Sequence, residues 1–157
     1  MKRNILGRIF STAFLLSFAA VMSAQDEGSC SNASLAGQWR YTVTGTVILP
    51  TGAAPMAVVG KAGFDDPGNF SGWQTSSVGG RISTPEIVNG TSTVKSDCTV
   101  LFTANTYDRS GNLLRKAIWV ALIDDNATGY RAIATSLTLP DGTGRTGDHR
   151  REWKKAG

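Results

Sequence analysis

Gly63-Phe64-Asp65-Asp66-Pro67-Gly68-Asn69-Phe70-Ser71-Gly72-Trp73 sets a dense group of turn residues between two extended segments. Pro67 fixes φ near the value an early turn position needs, Gly68 and Asn69 tolerate positive φ, and Asp65 or Asp66 can bond the turn backbone through its carboxylate. Apolar residues alternate outward from this turn on both sides. The stretch therefore reads as a β-hairpin. Similar turn clusters recur at intervals of roughly ten residues, the pattern of a small antiparallel sandwich or barrel.

Toward the N-terminus, Gly37 to Leu49 sets Trp39, Tyr41, Val43, Val47 and Leu49 on one parity against Arg40, Thr42, Thr44 and Thr46 on the other, a half-buried strand. Residues 50–55 break it, and extended character resumes from Met56 to Phe64. Beyond the turn, Asn69 to Val78 forms a Ser/Thr-rich strand ended by Gly79-Gly80. Pro85 interrupts the next segment, and Asn89-Gly90 predicts a two-residue hairpin between Glu86-Ile87-Val88 and Thr91 to Lys95. Cys98 to Tyr107, Leu113 to Ile123, Tyr130 to Leu139 and Arg150 to Lys154 supply the remaining strands. The apolar run from Ile118 to Ile123 predicts burial on both faces. No segment carries a helical period. Eight or nine strands linked in sequence predict an all-β fold, a single antiparallel up-and-down barrel of about eight strands, because closure removes exposed edges.

The N-terminus reads as an address. Lys2, Arg3 and Arg8 precede an apolar run from Ile9 to Val21, and small residues follow at Ser23 and Ala24. This predicts a signal peptide over residues 1–24, a polar tether over 25–36 and the barrel domain over 37–157. The apolar run falls short of the about 20 residues a membrane-spanning helix needs. A secreted or periplasmic protein with no stable membrane insertion after cleavage is the expectation. Three of the 16 basic residues lie in the leader, leaving thirteen against 12 acidic ones, so the mature chain is nearly neutral. Such a balance argues against a nucleic-acid surface. Cys30 and Cys98 are the two cysteines, and export makes a single disulfide between them the expectation.

Little in the residues points to catalysis. His149 is the one histidine, the cysteines lack metal-site spacing, and the pairs Asp65-Asp66 and Asp124-Asp125 sit in turns where carboxylates bond local backbone. No catalytic residue, metal or cofactor is assigned. Glu86 stands apart, because a carboxylate at a strand start beside Pro85 could face a barrel mouth. Tyr41, Trp73, Phe102 and Trp119, together with Glu86, are the candidate ligand-binding residues, with Thr75, Ser77 or Thr103 as polar anchors. The alternative is that these rings fill the core.

Four pieces of the chain carry a resemblance: Cys30 to Gly37, Phe64 to Gly72, Ser96-Asp97-Cys98-Thr99, and Ile123-Asp124-Asp125 with Tyr130-Arg131-Ala132-Ile133. Together they resemble a family of small exported bacterial proteins of unassigned function. The resemblance implies an envelope or secreted location and a barrel like those of allene oxide cyclase-like, calycin-type proteins. Gly37-Gln38-Trp39 is also similar to the Gly-x-Trp that opens the first strand of lipocalins and avidin-like barrels. There the Trp plugs one end, with a late Arg across it, a part that Arg150 or Arg151 could take. The leading expectation is an exported barrel binding a small apolar or amphipathic ligand or a surface partner. An allene oxide cyclase-like cyclase or isomerase, and a structural envelope protein with a filled barrel, are the alternatives. The sequence does not give the ligand or the oligomeric state.

Overall fold

Alternation of apolar and polar residues produces strands whose two faces differ, and in this chain those strands close on themselves. The computed structural model describes residues 29–49, 51–145 and 149–156. A one-turn helix, α1 (Asn32–Leu35), precedes β1 (Gly37–Leu49), β2 (Gly52–Phe64), β3 (Asn69–Val78), β4 (Arg81–Val94), β5 (Thr99–Tyr107), β6 (Leu113–Ile123), β7 (Gly129–Thr138), β8 (Gly144–Arg145) and β9 (His149–Lys155). Strands β1 to β7 pair antiparallel in sequence order. The final strand β9 then zips between β7 and β1 and closes the ring. The two-residue β8 continues the β7 pairing above β9. The result is the expected up-and-down barrel of eight strands.

One end of the barrel is closed by chain and rings. Trp39, fully buried, donates its indole N–H to the Leu35 carbonyl at 2.6 Å, so α1 lies across the barrel floor. Asn32 ties this lid to two hairpin turns: its amide donates to the Pro67 carbonyl at 3.0 Å and its oxygen accepts the Val94 N–H at 2.9 Å. The Cys30–Cys98 disulfide fastens the same segment to the β4–β5 turn. Residues 29–36 are therefore docked, where a tether was expected over 25–36. In the chain-entropy picture a bridge across 68 residues contributes about 4 kcal/mol. The side chains of Arg150 and Arg151 fall outside the described residues. The ammonium of Lys155 lies 5.8 Å from the Trp39 ring centroid.

Above this floor the interior is aromatic. Trp153 of β9 stacks on Tyr41 at 4.0 Å between centroids and on Tyr130 at 4.8 Å, its direct neighbours on β1 and β7. Phe64, Phe70 and Phe102 pack edge-on or stacked around them. Offset and edge-to-face contacts of this kind add to the area they bury.

Three local expectations need correction. Asn89-Gly90 makes no hairpin, and β4 runs straight through it. A side chain at Gly90 would meet the Thr103 carbonyl of β5 and then the Phe70 ring, so its glycine serves close packing and not a turn. Pro85 does not interrupt either. The strand β4 continues past it, with a cis Thr84-Pro85 bond and a register shift at that point. The apolar run of β6 is buried on one face only, since Leu122 points outward with 61% of its surface exposed.

Two turns at opposite ends of the barrel share a plan. At 65–69 and 108–112 the first Asp donates its N–H to the carbonyl four residues on and accepts the N–H three residues on, with a glycine at positive φ in that third place. A Cβ at Gly111 would meet nothing within 4 Å, whereas one at Gly68 would collide with the Ser92 carbonyl of β4 and lie 2.7 Å from the Asn32 amide of the lid. Gly111→Ala is therefore expected to cost about 1 kcal/mol, the backbone penalty alone. Gly68→Ala should cost clearly more in urea unfolding, because both the Ser92 carbonyl and the Asn32 amide of the lid must give way. Equal costs would show that neither β4 nor the lid is packed on that turn.

Candidate functional site

The other end of the barrel carries the polar interior. A single cross-strand row runs around the wall as Glu86, Gln74, Gly60, Tyr41, Trp153 and Tyr130. Gly60 leaves the space through which Tyr41 passes, since a Cβ there would come within 2.5 Å of the phenol ring. Tyr41 thereby reaches over β2 and donates its hydroxyl to Gln74 Oε1 at 2.7 Å. Gln74 in turn donates through Nε2 to Glu86 Oε2, also at 2.7 Å.

Glu86 is the centre of this network and only 1% exposed. Ser76 donates to its Oε1 at 2.9 Å, and Arg115 makes a two-pronged ion pair, Nη1 to Oε1 at 3.2 Å and Nη2 to Oε2 at 2.5 Å. Each carboxylate oxygen thus accepts two donors. Burial by itself pushes the Glu86 carboxyl up. The hydrogen bonds and charge of Arg115, joined by the bonds from Gln74 and Ser76, outweigh burial and hold it below its ordinary value. Strand alternation aims this side chain inward with Val88, directly opposite Gln74, and the register shift falls just before it.

Beside the network lies a cavity of about 30 Å³. Ala104, Ala117 and Ala134 create it, because larger residues on β5, β6 and β7 would fill the space facing Val43, Val58 and Met56. Gln74, Thr106 and Arg115 bring polar groups to its wall, and Trp119 forms its floor toward the aromatic half. Arg115 keeps about a fifth of its side chain exposed, which places it between cavity and solvent.

The structure brings together four of the five candidate ligand-binding residues inside the barrel. Tyr41 and Glu86 belong to the polar network, Trp119 lines the cavity, and Phe102 packs in the aromatic half. Trp73 does not join them. It stands on the outer wall, 44% exposed, with the Lys61 ammonium 5.7 Å from its ring centroid. The anchors Thr75, Ser77 and Thr103 lie one position out of phase with the inward set, and Thr75 shares a hydrogen bond with Thr84 instead. Gln74, Ser76, Thr106 and Arg115 were missed. Among the described residues no group of three or more metal-ligating side chains is found, and no helix is long and apolar enough to cross a membrane.

No protein-family model matches the chain, and no curated protein does. Solved structures do. A redesigned β-barrel, mFAP1, bound to DFHBI, superposes with a TM-score of 0.50 at 18% identity over 79% of this chain and 97% of that one. A second redesigned β-barrel gives 0.51 at 17% identity over 80% and 95%. The chain shares its fold with these barrels. At such identities the likeness concerns the fold alone.

The two charges of the network give opposite pH responses when separated. A Glu86 held below its ordinary value of 4.5 contributes stability that is full above that value and is lost as pH falls through the folded one. Glu86→Gln should therefore narrow the stability gap between neutral pH and pH about 3. Arg115→Met leaves the buried carboxylate without its counter-ion, costing about 3 kcal/mol at neutral pH. Its Glu86 then titrates above the ordinary value, so this variant should gain stability on acidification toward pH about 5. Urea midpoints across pH for both variants check the signs.

Proposed function

We propose that this protein is an exported binding barrel that takes a small apolar or amphipathic molecule into its polar-lined end. The observation that carries this reading is the division of the interior. One half is packed solid with stacked rings behind a fastened lid, and the other ends in a cavity with apolar walls and converging polar groups. Sites for small molecules have that composition. Export rests on the leader-like residues 1–24 and is supported by the Cys30–Cys98 bridge, which suits an oxidising compartment. Membership in the family of small exported bacterial proteins is part of the same proposal. The redesigned barrel mFAP1 was solved with DFHBI bound, which lends the reading a precedent in fold.

The cyclase or isomerase alternative is less well supported. A general base needs a free lone pair and a pKa near working pH. Glu86 spends both oxygens on four donors and is held ionised. As found, the cavity admits one functional group, so the body of a ligand must displace a wall residue. Met56 is the flexible one, unbranched and only partly buried.

Native mass spectrometry of the mature protein from its host's envelope fraction, compared with the denatured mass, tests the proposal. A co-purifying species lost on denaturation is expected, with higher occupancy in Met56→Ala. Bare protein for both forms would make the interior a packed core and turn attention to the outer surface.

A further inference from the structure

We infer that the ligand's polar group is an uncharged hydrogen-bond acceptor, a carbonyl of an ester, ketone or amide, received by the spare N–H groups of Arg115. This deepens the binding reading above and rests on it. The network's inventory leads there. Glu86 accepts from Ser76, Gln74 and twice from Arg115, which fills both its oxygens. Gln74 is occupied at both ends, donating to Glu86 and accepting from Tyr41. Arg115 spends one N–H of each Nη group on Glu86, which leaves Nε–H and a second hydrogen on each Nη nitrogen. The Thr106 hydroxyl, the remaining polar group of the described wall, can donate or accept, so what this wall offers a newcomer is chiefly donation.

Charge narrows the class further. Glu86 and Arg115 cancel, and among the described residues lining the cavity Arg115 is the one ionisable side chain. A ligand carboxylate would enter as an uncompensated anion beside an arginine already neutralised by Glu86, a costly burial. An ammonium would meet the like charge of Arg115, with the Thr106 hydroxyl to accept from it. A carbonyl adds no charge, accepts from the guanidinium, and needs only the room of a single small group, which about 30 Å³ supplies. Glu86 acts as a positioning residue here: its two-pronged grip fixes the guanidinium plane, so the unused N–H groups keep one direction. The hydrocarbon body of the ligand then lies along Met56, Val43 and Leu137.

The test uses four matched probes, methyl hexanoate, hexanoate, hexylamine and hexane, titrated calorimetrically into the mature protein at neutral pH. The ester should bind about tenfold tighter than the hydrocarbon, the size of one hydrogen bond to a charged donor, and tighter than either ion. In the double variant Glu86→Gln/Arg115→Met, which removes both charges and strands neither, ester and hydrocarbon should bind alike. A preference for hexanoate or hexylamine in the native protein overturns the inference and leaves the pocket standing. So does equal binding of ester and hexane. No binding by any probe removes the pocket itself, and the inference with it.

Discussion

Tyr41 is the joint on which the two halves of the barrel depend. Its ring stacks on Trp153 at 4.0 Å, and its hydroxyl bonds Gln74 at 2.7 Å on the far side of Gly60. The first contact belongs to the closure of the barrel, because Trp153 is carried by the strand inserted between β7 and β1. The second holds the amide that orients Glu86. One side chain therefore couples ring closure to the arrangement of the polar end. This explains why a glycine sits at position 60, where even a methyl group would collide with the phenol.

From that joint the interior sorts along the barrel axis. Rings need close contact and no water, so they collect behind the lid formed by α1, Leu35 and Trp39, where the disulfide and Asn32 hold the chain across the floor. A buried carboxylate needs donors and a cation, so Glu86 stands with Gln74, Ser76 and Arg115 toward the end where Arg115 reaches solvent. An ion pair of this kind adds little stability over a well-packed apolar substitute. Its retention in the interior fits a role in recognition, because it presents oriented donors without net charge.

Much of the fold was legible because hairpin chemistry is local. Pro67, Gly68 and the Asp-to-Asn turns announce themselves, and Asn69 to Val78 is a strand in sequence and structure alike. Asn89-Gly90 misled because a glycine that yields space to Phe70 has the same letter as one that turns. The inward face of β3 was illegible for a different reason. In Trp73-Gln74-Thr75-Ser76-Ser77 both parities are polar or mixed, and the bulky Trp73 suggested the wrong face. Arg115 escaped notice because its inward direction follows from barrel closure and its partner is 29 residues away. Glu86 could be singled out, since a carboxylate at a strand start beside Pro85 could face a barrel mouth, but the sequence did not name its partner.

A barrel sealed by rings at one end and opened by a small cavity at the other should be rigid at the first and yielding at the second. Native-state hydrogen exchange read residue by residue tests it most directly. Amides of Trp39 to Tyr41, Val100 to Phe102 and Trp153 should exchange only through global unfolding. Those around Gln74, Glu86, Arg115 and Leu137 should exchange through smaller openings that slow when ligand is bound. Uniform protection along the axis, or faster exchange at the lid than at Glu86, would contradict the division on which the binding site rests.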